Sequence, residues 1–342
     1  MSIERRYRRL LLAYPGPYRR GHGAEIVTTL LEMAGDEQTR PTRADSWHLV
    51  LSGARQRFRL PSGRPLAWLA AVLITVIGGA FGAAAGSWAA ERTFADLPGD
   101  ARLEALTRQV AGGGVEFGSD RSASPWWTTM ASATTDQPGW TPEAAQQRLA
   151  ADGWQTGAIA PRTGKSFAWD PDTGAVAEVP LHGSEFEATR DGLRLEVSGY
   201  VGNGHGTVSV NVWPAGTGAM IPAALAGALL GLVGGWLVAA AGAYRVRALT
   251  VPRRRLASAL AAAGLATLAL PAFAFWVNVW RVLASSDDVA WTVHSALNAG
   301  PYWSYGTPWM LLQLTVAGAV LAVAAWALLL TRPTAGPVPV PA

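Results

Sequence analysis

Four stretches of the chain are apolar with almost no interruption, at 66–90, 219–244, 256–283 and 309–331. At about 1.5 Å per helical residue, each is long enough to cover the roughly 30 Å hydrocarbon core of a bilayer with some tilt. Each predicts a membrane-spanning helix, and none contains an acidic residue. The first follows a polar stretch covering residues 1–65, which predicts a retained span and not a cleaved signal peptide.

The pattern changes in the polar stretches. Ile3, Tyr7, Leu10, Leu11 and Tyr14 recur at three- and four-residue intervals opposite Arg5, Arg6, Arg8 and Arg9, which predicts an amphipathic helix over 2–14 ended by Pro15. A second helix is expected from Pro17 or Gly23 to Met33, with Ile26, Val27, Leu30 and Leu31 inward. A third is expected over 41–60, with Trp47, Val50, Leu51 and Phe58 as its apolar face. Together they predict a small helical bundle over 1–65.

Residues 91–217 read as one α+β domain. Thr141-Pro142-Glu143 supplies a cap residue, a first-turn proline and an acid, Gly153 is placed to end that helix, and a further helix is expected over 100–110. Leu193, Leu195 and Val197 alternate with polar neighbours, as do Val208, Val210 and Val212, which is strand periodicity and predicts a mostly antiparallel sheet.

Charge gives these segments an expected orientation. Residues 1–65 hold 12 Arg against 6 acids, and 245–255 hold Arg245, Arg247, Arg253, Arg254 and Arg255 with no acid, so both are expected in the cytoplasm. Residues 91–217 carry 9 basic and 16 acidic side chains, and 284–308 carry Asp287 and Asp288 with no Lys or Arg, so both are expected outside. The Pro-rich tail 332–342 then returns to the cytoplasm. Trp68, Trp88, Trp280, Trp303, Trp309 and Trp326 fall near span ends, where indole rings favour the headgroup layer.

Small residues mark helix contacts. Gly78, Gly82 and Gly86 repeat every fourth residue in the first span, and Ala223, Gly227, Gly231, Gly235 and Ala239 do so in the second. Lipid tails give no hydrophobic drive for helix association, so such stripes let backbones approach and gain dispersion contacts. The first two spans are therefore expected to pack antiparallel. Pro271 is expected to kink the third span, Arg281 to snorkel from its outer end, and Gln313 to bond a neighbouring helix. Arg55, Arg57, Arg59 and Arg64, and the cluster Arg253, Arg254 and Arg255, are expected at anionic headgroups.

The run Arg8-Arg9-Leu10-Leu11-Leu12-Ala13-Tyr14-Pro15, then Tyr18-Arg19-Arg20, Gly23-Ala24-Glu25 and Leu30-Leu31, resembles the N-terminal segment of uncharacterised actinobacterial multi-pass membrane proteins. More loosely it is similar to the helical prefix domains of permeases and to helical domains associated with PadR-type regulators. The resemblance covers about 60 residues, implies a regulatory or permease setting, and carries no catalytic residue. One lysine, Lys165, among 28 basic residues is in keeping with a GC-rich actinobacterial source.

Composition then removes chemistries. With no cysteine there is no disulfide, thiolate metal site or cysteine nucleophile. Gly164-Lys165-Ser166 ends like a phosphate-binding loop but has Ile159 where the leading glycine belongs. Asp170-Pro171-Asp172-Thr173-Gly174 starts like a calcium loop but reaches Leu181 at the twelfth position, so it is expected to be a turn. Gly202-Asn203-Gly204-His205-Gly206 is expected to be a hairpin turn. His22, His48, His182, His205 and His294 have no short metal-ligand spacing. Glu185, Glu187 and Asp191 are the acids whose convergence only a fold can decide. Trp126, Trp127, Trp140, Trp154, Trp169 and Trp213 are expected in the outer domain's core.

The sequence thus predicts a membrane all-α protein with four transmembrane helices, a small cytoplasmic helical bundle and an α+β extracytoplasmic domain, in a cell membrane with both termini cytoplasmic. No catalytic motif, metal site or cofactor is expected. The predicted role is sensory, regulatory or scaffolding, the alternative being the membrane subunit of a transporter or permease complex. Expected partners are membrane lipids, a cytoplasmic protein at the N-terminal helices and an extracytoplasmic ligand, with no direct nucleic-acid binding.

Overall fold

The computed structural model describes residues 2–34, 38–60, 65–113, 118–169, 176–202, 205–285, 290–298, 306, 307 and 309–331. Arg64, Asp287, Asp288, Trp303, the 170–174 turn, Asn203, Gly204 and the tail 332–342 lie outside the described residues. The chain divides into two compact units, one of Met1–Gly79, Leu230–Ala269 and Thr315–Ala342, the other of Ala80–Leu229 and Leu270–Leu314.

Four helices are long and apolar enough to cross a membrane: α4 (Pro65–Glu91), α7 (Met220–Arg247), α8 (Val251–Ala284) and α9 (Met310–Leu330). The helices take up most of the expected loop 245–255, since α7 runs to Arg247 and α8 starts at Val251. Arg253, Arg254 and Arg255 therefore stand in the first turns of α8, with no ion pair among the described residues. Pro271 lies inside α8, which continues through it as helix.

In the first unit, α1 (Ile3–Leu10), a 3-10 turn (Leu11–Ala13), α2 (Gly16–Met33) and α3 (Arg43–Phe58) form the expected bundle. Its core is Tyr7, Leu11, Tyr14, Val27 and Leu49. Thr42 caps α3 in a reciprocal box, its Oγ1 accepting from Asp45 N–H at 3.0 Å while an Asp45 carboxylate oxygen accepts from Thr42 N–H at 3.3 Å. Gly53 permits the close packing, because a Cβ there would stand 2.7 Å from the Ala13 side chain.

The expected apolar face of α3 is not the one packed inward. The third helix buries Leu49 and Gly53, whereas Trp47, Val50, Leu51 and Phe58 are exposed. α3 carries apolar residues on two sides, and the contact with the 3-10 turn selects the narrower one as its inward face. Exposed Arg57 donates to the carbonyls of Ala13 at 2.5 Å and Leu12 at 2.7 Å. There it satisfies acceptors left open at the end of the 3-10 turn. Arg55 and Arg59 remain exposed.

The antiparallel approach of α4 and α7 runs through the glycines. In the first unit a Cβ on Gly78 would stand 2.5 Å from the Gly231 carbonyl oxygen, and one on Gly235 would stand 2.7 Å from that of Ile74. In the second unit Gly86 lies against the Ala223 backbone and Gly227 against that of Gly82, again with no room for a Cβ. The first unit also pairs α8 with α9, where Gly318 lies 2.5 Å in the same sense from Leu268. Gln313 is exposed and makes no side-chain hydrogen bond among the described residues.

The second unit holds a seven-stranded antiparallel sheet: β1 (Gly118–Ser122), β2 (Met130–Asp136), β3 (Gln155–Thr156), β4 (Ala160–Trp169), β5 (Val176–Arg190), β6 (Leu193–Gly202) and β7 (His205–Pro214). Its order is β1-β2-β7-β6-β5-β3, with β4 also on β5. Leu195 faces Val212 and Val197 faces Val210 across β6 and β7, so the alternating residues share one face. α5 (Asp100–Ala111) and α6 (Pro142–Ala151) cover that face and bury Leu103, Val110, Leu149 and Phe186 with it. Trp140 and Trp154 belong to this core, and the Trp140 ring lies over Gly199, where a Cβ has no space. Gly153, at φ +86°, takes the left-handed conformation just past α6, as its placement predicts.

Candidate functional site

On the sheet face away from α5 and α6, three acids pair with two arginines. The Arg162 guanidinium reaches Glu185 at 2.8 Å and Glu196 at 3.5 Å, and Arg194 pairs with Glu187. These acids border a shallow cleft with Gly157 and Ala160. Asp191 does not join them; it sits in the β5–β6 turn at φ 50° with Arg190 3.1 Å away. Of the three candidate acids, two share a face, each against an arginine. Among the described residues no three His or acidic side chains gather as metal ligands.

A largely buried polar cluster of the second unit lies where α4 ends. Apolar α4 stops at Glu91, whose Oε2 is 2.8 Å from His294 Nε2 and whose Oε1 accepts from the Thr128 hydroxyl at 2.6 Å. His294 belongs to a 3-10 turn (His294–Leu297), and its Nδ1 is 3.1 Å from Ser87 Oγ, one helical turn before Glu91. Ser87 has no exposed surface, and its Oγ accepts the Val293 N–H at 2.8 Å. With the imidazole proton on Nε2, polarity is consistent along the chain: Val293 N–H donates to Ser87, Ser87 to His294, and His294 to Glu91.

From the other side Asn278, on α8 and also fully buried, donates from Nδ2 to the carbonyls of Pro125, Thr292 (3.1 Å) and Val293 (3.3 Å). Ser295 Oγ donates to Pro125 O at 2.9 Å, and Asn298 to Ser124 O at 3.1 Å. Segments 124–128 and 290–298 are thereby joined as a short antiparallel pair, with Trp127 bridged to Trp291, Thr128 N–H donating to Ala290 O and Thr292 N–H to Trp126 O. A carbonyl buried without a donor costs about 1–3 kcal/mol, so the two Asn278 N–H hydrogens, shared among these carbonyls, help to hold the loop pair.

Aromatic rings close the outer rim. Trp126, Trp127 and Trp291 meet edge to face, with centroids 6.3 and 6.0 Å apart. The Arg281 guanidinium lies 4.4 Å from the Trp126 ring centre and 5.7 Å from that of Trp291. Arg281 is held by cation–π contact with the loop pair. Trp126 and Trp127, expected in the domain core, belong to this rim.

Serine, histidine and carboxylate in series invite comparison with acyl-transfer sites. There the imidazole accepts from serine at Nε2 and is steadied by the carboxylate at Nδ1. Here the nitrogens are exchanged, Ser87 is sealed from solvent, and its oxygen already accepts a backbone N–H. The Ser87 hydroxyl has no surface open to solvent. What the arrangement does is fasten: α4, the segment before β2 and the loop after α8 are tied through one imidazole.

Sequence reading missed Ser87, Glu91, Thr128 and His294, which no short motif unites. A signal was present, however: Glu91 is the first ionisable residue after the first apolar stretch, and His294 is the only basic side chain in 284–308. Compared with family models, with curated proteins and with solved structures, the chain gives no match.

Proposed function

We propose that the chain is a multi-pass plasma-membrane protein, with both termini cytoplasmic, that reports the state of its outer α+β domain to its N-terminal helices and whatever cytoplasmic protein they serve. The observation that carries this reading is α4 itself: one unbroken helix from Pro65 to Glu91, gripped at its last residue by His294 and Thr128. A ligand or partner that moves the segment before β2, or the loop after α8, acts directly on the end of that helix. The excess of arginine in 1–65 and 245–255 supports the orientation.

The test uses the full chain in lipid nanodiscs, with hydrogen exchange followed by mass spectrometry on wild type and His294→Ala. Relay predicts faster exchange in peptides from 3–58 as well as near residue 91. A change confined to the outer loops overturns it. Co-purification from membranes supplies the partner; recovery of an ATPase subunit in place of a regulator would shift the assignment to a transport complex.

A further inference from the structure

The exposed apolar face of α3 lies on the side away from the bundle. Trp47 is 65% exposed, Leu51 40% and Phe58 41%, and with Val50 and Ala54 they fall on one stripe at three-, four- and seven-residue spacings. Arg43 and Arg55 border it, and Arg59 follows, each exposed and without an ion pair among the described residues. An apolar stripe edged by arginines is the signature of a helix lying in a membrane interface.

The position of α3 identifies the apolar phase. Trp236, on α7, donates its indole N–H to the Phe58 carbonyl at 2.9 Å, and Leu60 is buried among Ala71 of α4 and Ala239 and Ala240 of α7. The C-terminal end of α3 is thus pinned where two of the four apolar helices begin or end. Leu66, Trp68 and Leu69 of α4, shortly after this pin, present exposed apolar side chains of their own. Exposed apolar side chains thus stand on both α4 and α3, either side of the pinned junction.

We propose that α3 is an interfacial helix whose Trp47–Leu51–Phe58 stripe inserts into the acyl–headgroup boundary of the cytoplasmic leaflet, with Arg43, Arg55 and Arg59 on anionic headgroups. This rests on the reading that α4 crosses the bilayer with its Pro65 end in the cytoplasm. Buried apolar area and electrostatic attraction add in such binding, so it strengthens with anionic lipid. The bundle's position is then coupled to the leaflet as well as to α4.

Because the chain has no cysteine, single substitutions can be labelled uniquely. Trp47→Cys, Leu51→Cys, Phe58→Cys, the flanking His48→Cys and, as a span control, Leu73→Cys are spin-labelled in the full chain and reconstituted with phosphatidylglycerol-containing vesicles. The expected result is collision with oxygen over a water-soluble nickel chelate several-fold higher at 47, 51 and 58 than at 48, approaching that at 73. Replacing Arg55 and Arg59 by Gln should lower the ratio. Water-like ratios at 47, 51 and 58 with a lipid-like ratio at 73 overturn the docking of α3 alone. A water-like ratio at 73 overturns the membrane reading beneath it. Immobilisation of the α3 labels only on adding a cytosolic protein fraction assigns the face to a protein and also overturns the proposal.

Discussion

Glu91 and His294 stand 203 positions apart in sequence, yet share a 2.8 Å hydrogen bond where helix α4 ends. The bond joins the first ionisable residue after an apolar helix to a loop that no local pattern connects with it. Ser87 and Thr128 complete its surroundings, so the energetic unit is the cluster and not the pair.

This predicts strong non-additivity. His294→Ala leaves Ser87 and Glu91 short of a partner in a largely buried place and should cost about 1–3 kcal/mol. Glu91→Gln should cost less, and the double substitution should fall short of the sum, with a coupling of about 0.5–3 kcal/mol. Denaturation of the four proteins in one detergent measures the cycle; simple additivity would show that the contact carries no energy.

Gly78 and Gly231 give a second prediction. A Cβ at Gly78 meets a backbone oxygen, which cannot turn aside as a side chain does. Gly78→Ala and Gly231→Ala should each destabilise by about 1–3 kcal/mol, as overpacking does. Gly234→Ala, where a Cβ meets open space, is the control and should leave the melting temperature unchanged.

Tyr7 sits in the bundle core, where burial, aided by the negative charge of Asp45, holds its phenol above the ordinary value of 10.0. The folded bundle binds this proton more tightly than the unfolded chain does. Its contribution to stability is complete below the ordinary phenol pKa and is lost as pH rises through the higher folded one. Absorbance titration near 295 nm should show a late-ionising component that is absent in Tyr7→Phe. An unchanged titration curve in that variant would contradict the burial.

Orientation has its own measurement. Reporter fusions after residues 65, 150, 250, 295 and 340 should read in, out, in, out, in, following the arginine distribution. Any other order rejects the assignment of the outer domain and of the α3 face together.

The apolar helices α4, α7, α8 and α9, the start of α6 at Thr141-Pro142 and the alternation in β6 and β7 were legible from sequence, because each follows from residues within a few positions of one another. The apolar faces of α3 were not. Leu49 and Trp47 both answer to helical periodicity, and only the fit of Gly53 against Ala13 decides which side turns inward.

By itself, then, the sequence determined the long apolar helices, the capped α6 and the small-residue stripes, since hydropathy, capping and glycine spacing act locally. Tertiary structure alone decided that Arg57 closes a 3-10 turn, that Arg281 lies on tryptophan rings and that His294 ties Glu91 to Ser87. A buried polar group must find its partner wherever the fold brings one, and that partner leaves no periodic trace along the chain.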